Sequence, residues 1–162
     1  MHPNIKDEII RLLVQDLSNE RDTTAKAAET AHAEATHPDA KPENKYDTRS
    51  LEASYLAGAQ LARVDELTAK IEVLRAMHVS QFTRKDAITP SAIIQLESEG
   101  KILEYFLTAW VSGYSYKIDG HEIRIISAQS PVGIALSGKM VGDFFSMTIS
   151  GKEREFEILN IL

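Results

Sequence analysis

The chain has 162 residues, 43% hydrophobic and 26% charged, with a net charge of −6 and no cysteine. That length fits one ordinary domain or two small ones, and the missing thiols exclude a disulfide framework and any cysteine-based metal or redox centre. Dividing at residue 79 gives 10 bases and 14 acids before it and 8 bases and 10 acids after it. Neither half therefore offers the basic surface that holds nucleic acid by neutralising phosphates, and any nucleic acid is expected to be reached only indirectly, through a partner.

The first residues, MHPNIKDEIIRLL, carry acids early and no cleavage-like signal, and no apolar run reaches the length of a membrane span. A cytoplasmic protein with no membrane contact is expected. From Ile5 to Thr36 there is no glycine or proline, and Ile10, Leu13, Leu17, Arg21, Thr24, Ala28, Ala31 and Ala35 recur in steps of three and four. This spacing predicts a helix with a seam for one partner helix. A second helix is predicted from Tyr46 to about Met77, with Ala53, Val64, Leu67, Ile71 and Leu74 in the same rhythm.

The two runs register on each other. In an antiparallel hairpin, facing residues have numbers that sum to a constant. Ile10 with Leu74, Leu13 with Ile71, Leu17 with Leu67 and Ala31 with Ala53 all sum to 84, which centres the turn on Pro42. His37-Pro38 and Lys41-Pro42 break the helical pattern at that place, because proline lacks an amide donor and restricts the residue before it. The expected hairpin is on the order of 45–50 Å long at 1.5 Å per residue. Its seam is Ile and Leu at the base and Ala toward the turn, where small residues let helix axes approach closely.

After residue 79 the texture changes. DAITPSAIIQLESEGK (Asp86 to Lys101) is expected to form a short helix ended by Gly100. EYFLTAWVSG, YSYKIDGHEIRIIS and DFFSMTISGKEREFEILNIL alternate β-branched and aromatic residues, with Asp119-Gly120 and Ser150-Gly151 as hairpin turn signals. An α+β protein with a small, mostly antiparallel sheet follows.

Little of the chain reads as catalytic. The five histidines, His2, His32, His37, His78 and His121, form no ligand pair with metal-site spacing and are read as surface residues. SGKMVGD (Ser137 to Asp143) lacks the upstream glycine of a phosphate loop and is read as a turn. The tip stands apart: Asp39, Glu43 and Asp47 lie in a narrow turn with Lys41, Lys45 and Arg49 interspersed. Carboxylates there could help hold a hard cation such as Mg²⁺ whose other ligands come from a partner. The same residue types also cap helices and solvate turns.

The whole chain resembles the bacterial transcript-cleavage factors of the Gre family. The most specific match is SPVGIALSGKMVGDFFSMTISGKEREFEILNI (Ser130 to Ile161), which is similar to the family's Ser-Pro-hydrophobic, Ala-Leu-hydrophobic-Gly-Lys and Gly-Asp signature with its closing strands. The resemblance implies an antiparallel α-helical coiled-coil hairpin over residues 1–79, with its tip near 37–47, and an FKBP-like, polymerase-docking domain over 80–162. It implies a monomeric, non-enzymatic accessory factor with no cofactor of its own. The factor binds RNA polymerase at the secondary channel, inserts the hairpin tip toward the active centre, and stimulates the polymerase's own Mg²⁺-dependent cleavage of backtracked RNA. Asp39 and Glu43 are then the acids that share the metal with the polymerase, and Lys41, Asn44, Tyr46, Asp47 and Arg49 are tip residues that meet the partner.

The tip departs from the family pattern, which reads Asp-Leu-x-Glu-Asn-Ala-Glu-Tyr. Here the same span is Asp39-Ala-Lys-Pro-Glu-Asn-Lys-Tyr46. Asp39 matches the first acid, Pro42 occupies the second acid's place, Glu43 comes one position late, and Lys45 replaces the later acid. Two other readings stay open: a regulator that occupies the channel without promoting cleavage, and an interaction module unrelated to polymerase.

Overall fold

The structure, a computed structural model, describes residues 5–37 and 48–162. The chain divides into two compact units: Leu12–Arg75, and Met1–Arg11 together with Ala76–Leu162. The first holds most of two long helices, α1 (Ile5–Thr36) and α2 (Arg49–Arg75). The expected second helix began at Tyr46; among the described residues it opens at Arg49. No helix of the described residues is long and apolar enough to cross a membrane.

Within the helical unit the seam is the buried stripe. Leu13, Leu17, Ala28 and Ala31 of α1 and Ala57, Leu67, Ile71 and Leu74 of α2 are all buried, while the faces between them are open. Burial of the leucine and isoleucine side chains contributes on the order of 1.5–3 kcal/mol each. A polar contact crosses the helices: Arg63 binds Glu20 with both Nε and Nη2, and its Nη1 reaches Glu66 at 2.8 Å. Glu20 and Arg63 sit one position off the register that sums to 84, as neighbours flanking a seam should. These carboxylates hold the Arg63 guanidinium above its ordinary pKa through their hydrogen bonds, and its exposure keeps the net stabilisation small. At the base of α1 the register departs from expectation. Ile9 is fully buried and Ile10 is only half-buried, and Ile5, four residues before Ile9 and so on the same helix face, is buried as well.

The second unit is built on a six-stranded sheet in the order β3-β4-β2-β1-β6-β5. The strands are β1 (Ile93–Ser98), β2 (Lys101–Thr108), β3 (Ser115–Ile118), β4 (His121–Ser127), β5 (Phe144–Ile149) and β6 (Lys152–Ile161). All neighbours are antiparallel except β2 and β4, which run parallel. One short helix, α3 (Pro131–Leu136), follows β4. The core collects Leu96, Leu107, Ile126, Leu136, Phe156 and Ile158 around Ile88.

The segment expected to be a helix, Asp86 to Lys101, is a loop followed by β1. Its Ile93-Ile94 pair and its alternation of burial suit a strand bonded on both sides, to β2 and to β6. Tertiary pairing overrides the helix propensity of its Leu, Gln and Glu residues. Gly100 ends no helix: Glu99 and Gly100 have φ of 52° and 76°, and they reverse the chain between β1 and β2. Asp119-Gly120 and Ser150-Gly151, the two turns legible in the sequence, have the same paired positive φ, which is the type I′ geometry that matches strand twist.

Two local features set the conditions for folding. The α3 helix is capped by Ser130, whose hydroxyl accepts from the Gly133 amide at 3.1 Å, and it has Pro131 in its first turn. A Cβ on Gly133 would lie 2.0 Å from the Ser127 carbonyl oxygen, so α3 can rest on the end of β4 only with glycine there. Near the start of α1, Lys6 is buried, donates to the Ser80 carbonyl at 2.7 Å, and lies 4.6 Å from the centre of the Phe82 ring. Burial pulls its pKa down from the ordinary 10.5 to about 8.

Two outcomes are expected. Gly133→Ala should lower stability by about 1–3 kcal/mol or more, because backbone rather than a flexible side chain must move; thermal unfolding followed by circular dichroism measures it. For Lys6, the unfolded chain keeps its proton up to the ordinary pKa while the folded chain releases it near 8, so the unfolded state binds more protons between those values. The stability difference between wild type and Lys6→Met should therefore be flat below pH 8. It should shift toward wild type by about 1 kcal/mol or more as the pH rises to 10, as read from urea unfolding at each pH.

Candidate functional site

The candidate site is the end of the helical hairpin. Of the residues assigned to it from the sequence, Asp39, Lys41, Glu43, Asn44, Tyr46 and Asp47 lie outside the described residues, as does Pro42; Arg49 is the first residue of α2. What the structure defines is the framework that carries them. Helix α1 runs to Thr36, whose hydroxyl donates back to the His32 carbonyl at 2.9 Å. On the returning arm, the Thr48 carbonyl accepts from the Glu52 amide at 2.9 Å, and the Thr48 hydroxyl donates to the Glu52 carboxylate at 2.7 Å. That pairing anchors the first turn of α2, where an acid also complements the helix dipole.

Between these ends the seam changes as the sequence predicts. Toward the base it is Leu13, Leu17, Leu67, Ile71 and Leu74; toward the tip the buried residues are Ala28, Ala31 and Ala57. Side chains that could widen the hairpin are absent from the tip half of the seam. A cleft of about 490 Å³ lies between the last turns of α1 and the first turn of α2, bordered by Thr30, Glu34, His37, Arg49 and Ser50. On the outer face of α2, Leu51, Tyr55, Leu56 and Leu61 are exposed. Among the described residues no group of three or more His, Asp or Glu side chains could hold a metal ion.

The sheet unit holds a polar cluster that the sequence did not announce. The Glu104 side chain is 8% exposed; its carboxylate lies 2.9 Å from His121 Nδ1 and accepts from Gln95 Nε2 at 2.7 Å. His121, read from the sequence as a surface residue, has a half-exposed side chain tied to this buried acid. The parallel pairing of β2 with β4 brings the two strands together, and no local pattern signals such a pairing. The hydrogen bonds satisfy the buried carboxylate, so the cluster reads as structural.

The chain thus has two parts, a long helical hairpin and a small mixed sheet. The family model for the C-terminal part of the transcription elongation factors GreA/GreB matches residues 83–162, which spans the sheet. The transcription elongation factor GreA of Chlorobium phaeobacteroides is 32% identical over 126 residues, covering 77% of this chain and 74% of that protein. GreA of Chlorobaculum parvum is 30% identical over 128 residues, covering 78% and 74%. Among solved structures, Thermus aquaticus Gfh1 aligns over 93% of this chain and 92% of its own at 23% identity, with a TM-score of 0.40. The chain belongs to the GreA/GreB family of transcription elongation factors.

The alanine seam is testable. Ala57→Leu should cost about 1–3 kcal/mol by overpacking a buried position. Ala59→Leu, on the exposed face, should stay within about 0.5 kcal/mol. Thermal melts followed by helical circular dichroism compare the two.

Proposed function

We propose that the protein binds RNA polymerase at its secondary channel through the sheet unit and presents the hairpin tip to the catalytic centre, where it stimulates cleavage of backtracked RNA. What supports this reading is the hairpin of a family member: its buried seam narrows to alanine toward the tip, and the sequence register centred on residue 42 has Asp39 and Glu43 in the segment that joins the helices. A long paired helix that buries little beyond its own seam costs chain entropy, and reaching into a confined site is a use that repays it.

Asp39 and Glu43 act in this proposal as the acids that meet the polymerase's metal. Two carboxylates on one turn are an incomplete ligand set, which suits a Mg²⁺ held mainly by the partner. When bound, that ion would orient a water nucleophile and offset developing charge. The chain's own contribution is position: the helical arms fix where the carboxylates stand, and Arg49 and the tip lysines offset their mutual repulsion. With Pro42 at the second acid's place, Glu43 takes that acid's role in this proposal. The polymerase performs the bond cleavage, and the factor works as a monomeric accessory in the cytoplasm.

The test is the shortening of RNA from its 3′ end in stalled, backtracked elongation complexes. Wild-type protein should accelerate it, and Asp39→Asn should reduce the rate roughly tenfold or more while polymerase binding persists. Binding and altered synthesis without any cleavage would instead assign the tip to channel occupancy. Absence of binding would make the protein an interaction module of another kind.

A further inference from the structure

The sheet unit carries a second concave site, away from the hairpin tip. One face of the six-stranded sheet packs the core, yet its helical cover is the six residues of α3. Strand alternation brings Leu96, Leu103, Tyr105, Phe145, Met147 and Phe156 onto this face. Leu96 is fully buried and Phe156 nearly so, but Leu103, Tyr105, Phe145 and Met147 are only partly covered. Together they floor a cleft of about 360 Å³, in the size range of small-molecule sites. Phe145 and Phe156 stack at its centre, with rings 5.1 Å apart and 13° from parallel.

The rim carries three cations and one acid, Glu99, although the chain as a whole is acidic. Arg154 pairs in register with Met147, Arg124 with Tyr105, and Lys101 opens β2 beside them; all three line the cleft. Their acid partners are loose: Glu99 stands 3.7 Å from Arg154 Nη1, and Glu122 stands 3.8 Å from Arg124 Nε, with both acids well exposed. Arg154 Nε is buried and has no hydrogen-bond partner, the one such side-chain atom among the described residues. A buried donor left unmet is costly, and a planar guanidinium is suited to carboxylate, sulfonate or phosphate oxygens.

We propose that this cleft binds a small organic anion, with an aromatic or aliphatic body on the Tyr105–Phe145–Phe156 floor and its anionic head on Arg154 and Arg124. The site is independent of the tip and of the polymerase reading, so its test uses the full chain alone.

The probes are 8-anilinonaphthalene-1-sulfonate and N-phenyl-1-naphthylamine, which share an aromatic body and differ in the anionic head. The sulfonate should bind saturably and shift backbone amide signals of β5 and β6 in NMR spectra. Arg154→Met and Arg124→Gln should each weaken it roughly tenfold, the loss expected for one charge-assisted contact. The neutral amine should bind each variant within about twofold of wild type, and Lys26→Met, an exposed change in α1, should leave both probes unaffected. Thermal unfolding of each variant verifies folding; if Arg154→Met does not fold, Arg124→Gln decides. No saturable binding of the sulfonate, equal responses of the two probes to the arginine substitutions, or shifts confined to α2 around Leu51 and Tyr55 would overturn the proposal.

Discussion

The pairing of α1 with α2 is the constraint on which the rest of the protein's design depends. The buried residues of α2, Ala57, Leu67, Ile71 and Leu74, fall together with the half-buried Ala53, Gln60 and Val64 on one series, the alternating steps of four and three of a coiled-coil seam. Such a seam locks the relative register of two helices, since a slip of one residue turns the apolar stripe outward by about 100°. Register in turn decides which residues stand at the turn. In the proposed function, Asp39 and Glu43 depend on that register, set by leucines and alanines along the arms, rather than on any local motif.

The gradient along that seam divides the labour. Leucine and isoleucine at the base supply most of the buried apolar area, and alanine toward the tip gives up burial for a narrower cross-section. The sheet unit solves a different problem. Its six strands need cover, and α3 provides little, with Gly133 allowing it to lie directly on the end of β4. The core is closed by this contact, but part of the same sheet face stays open beneath Arg154 and Arg124. An under-covered sheet face and a buried guanidinium nitrogen without a partner, Arg154 Nε, are a costly combination in a structural element alone, and they make chemical sense as a binding surface.

How much was legible in the sequence depended on how local each signal was. The helix register could be read because it repeats over many turns, and Asp119-Gly120 and Ser150-Gly151 could be read because a type I′ turn demands those residue types. Asp86 to Lys101 misled because Leu96, Glu97 and Glu99 favour helix and Gly100 looked like a helix stop; only the pairing of Ile93–Ser98 with strands on both sides makes it β1. The start of α1 misled by one position, since Ile9 rather than Ile10 is the fully buried residue there. Glu104 with His121, and the cleft formed by Lys101, Arg124 and Arg154, were invisible because their members are far apart in sequence and meet only through the parallel β2–β4 pair and the sheet order. The family signature from Ser130 onward was the most compact signal in the chain, since it concentrates a helix cap, an obligatory glycine and two strands in a short span.

The central claim is that the hairpin works by delivering its tip over a fixed distance. Deleting residues 25–31 and 53–59 together removes one seam repeat from each arm, keeps the register, and shortens the hairpin by about 10 Å. Measured on backtracked polymerase complexes, this variant should retain its helical fold and its binding to polymerase but fail to accelerate RNA cleavage. Undiminished cleavage by the shortened hairpin would contradict the account.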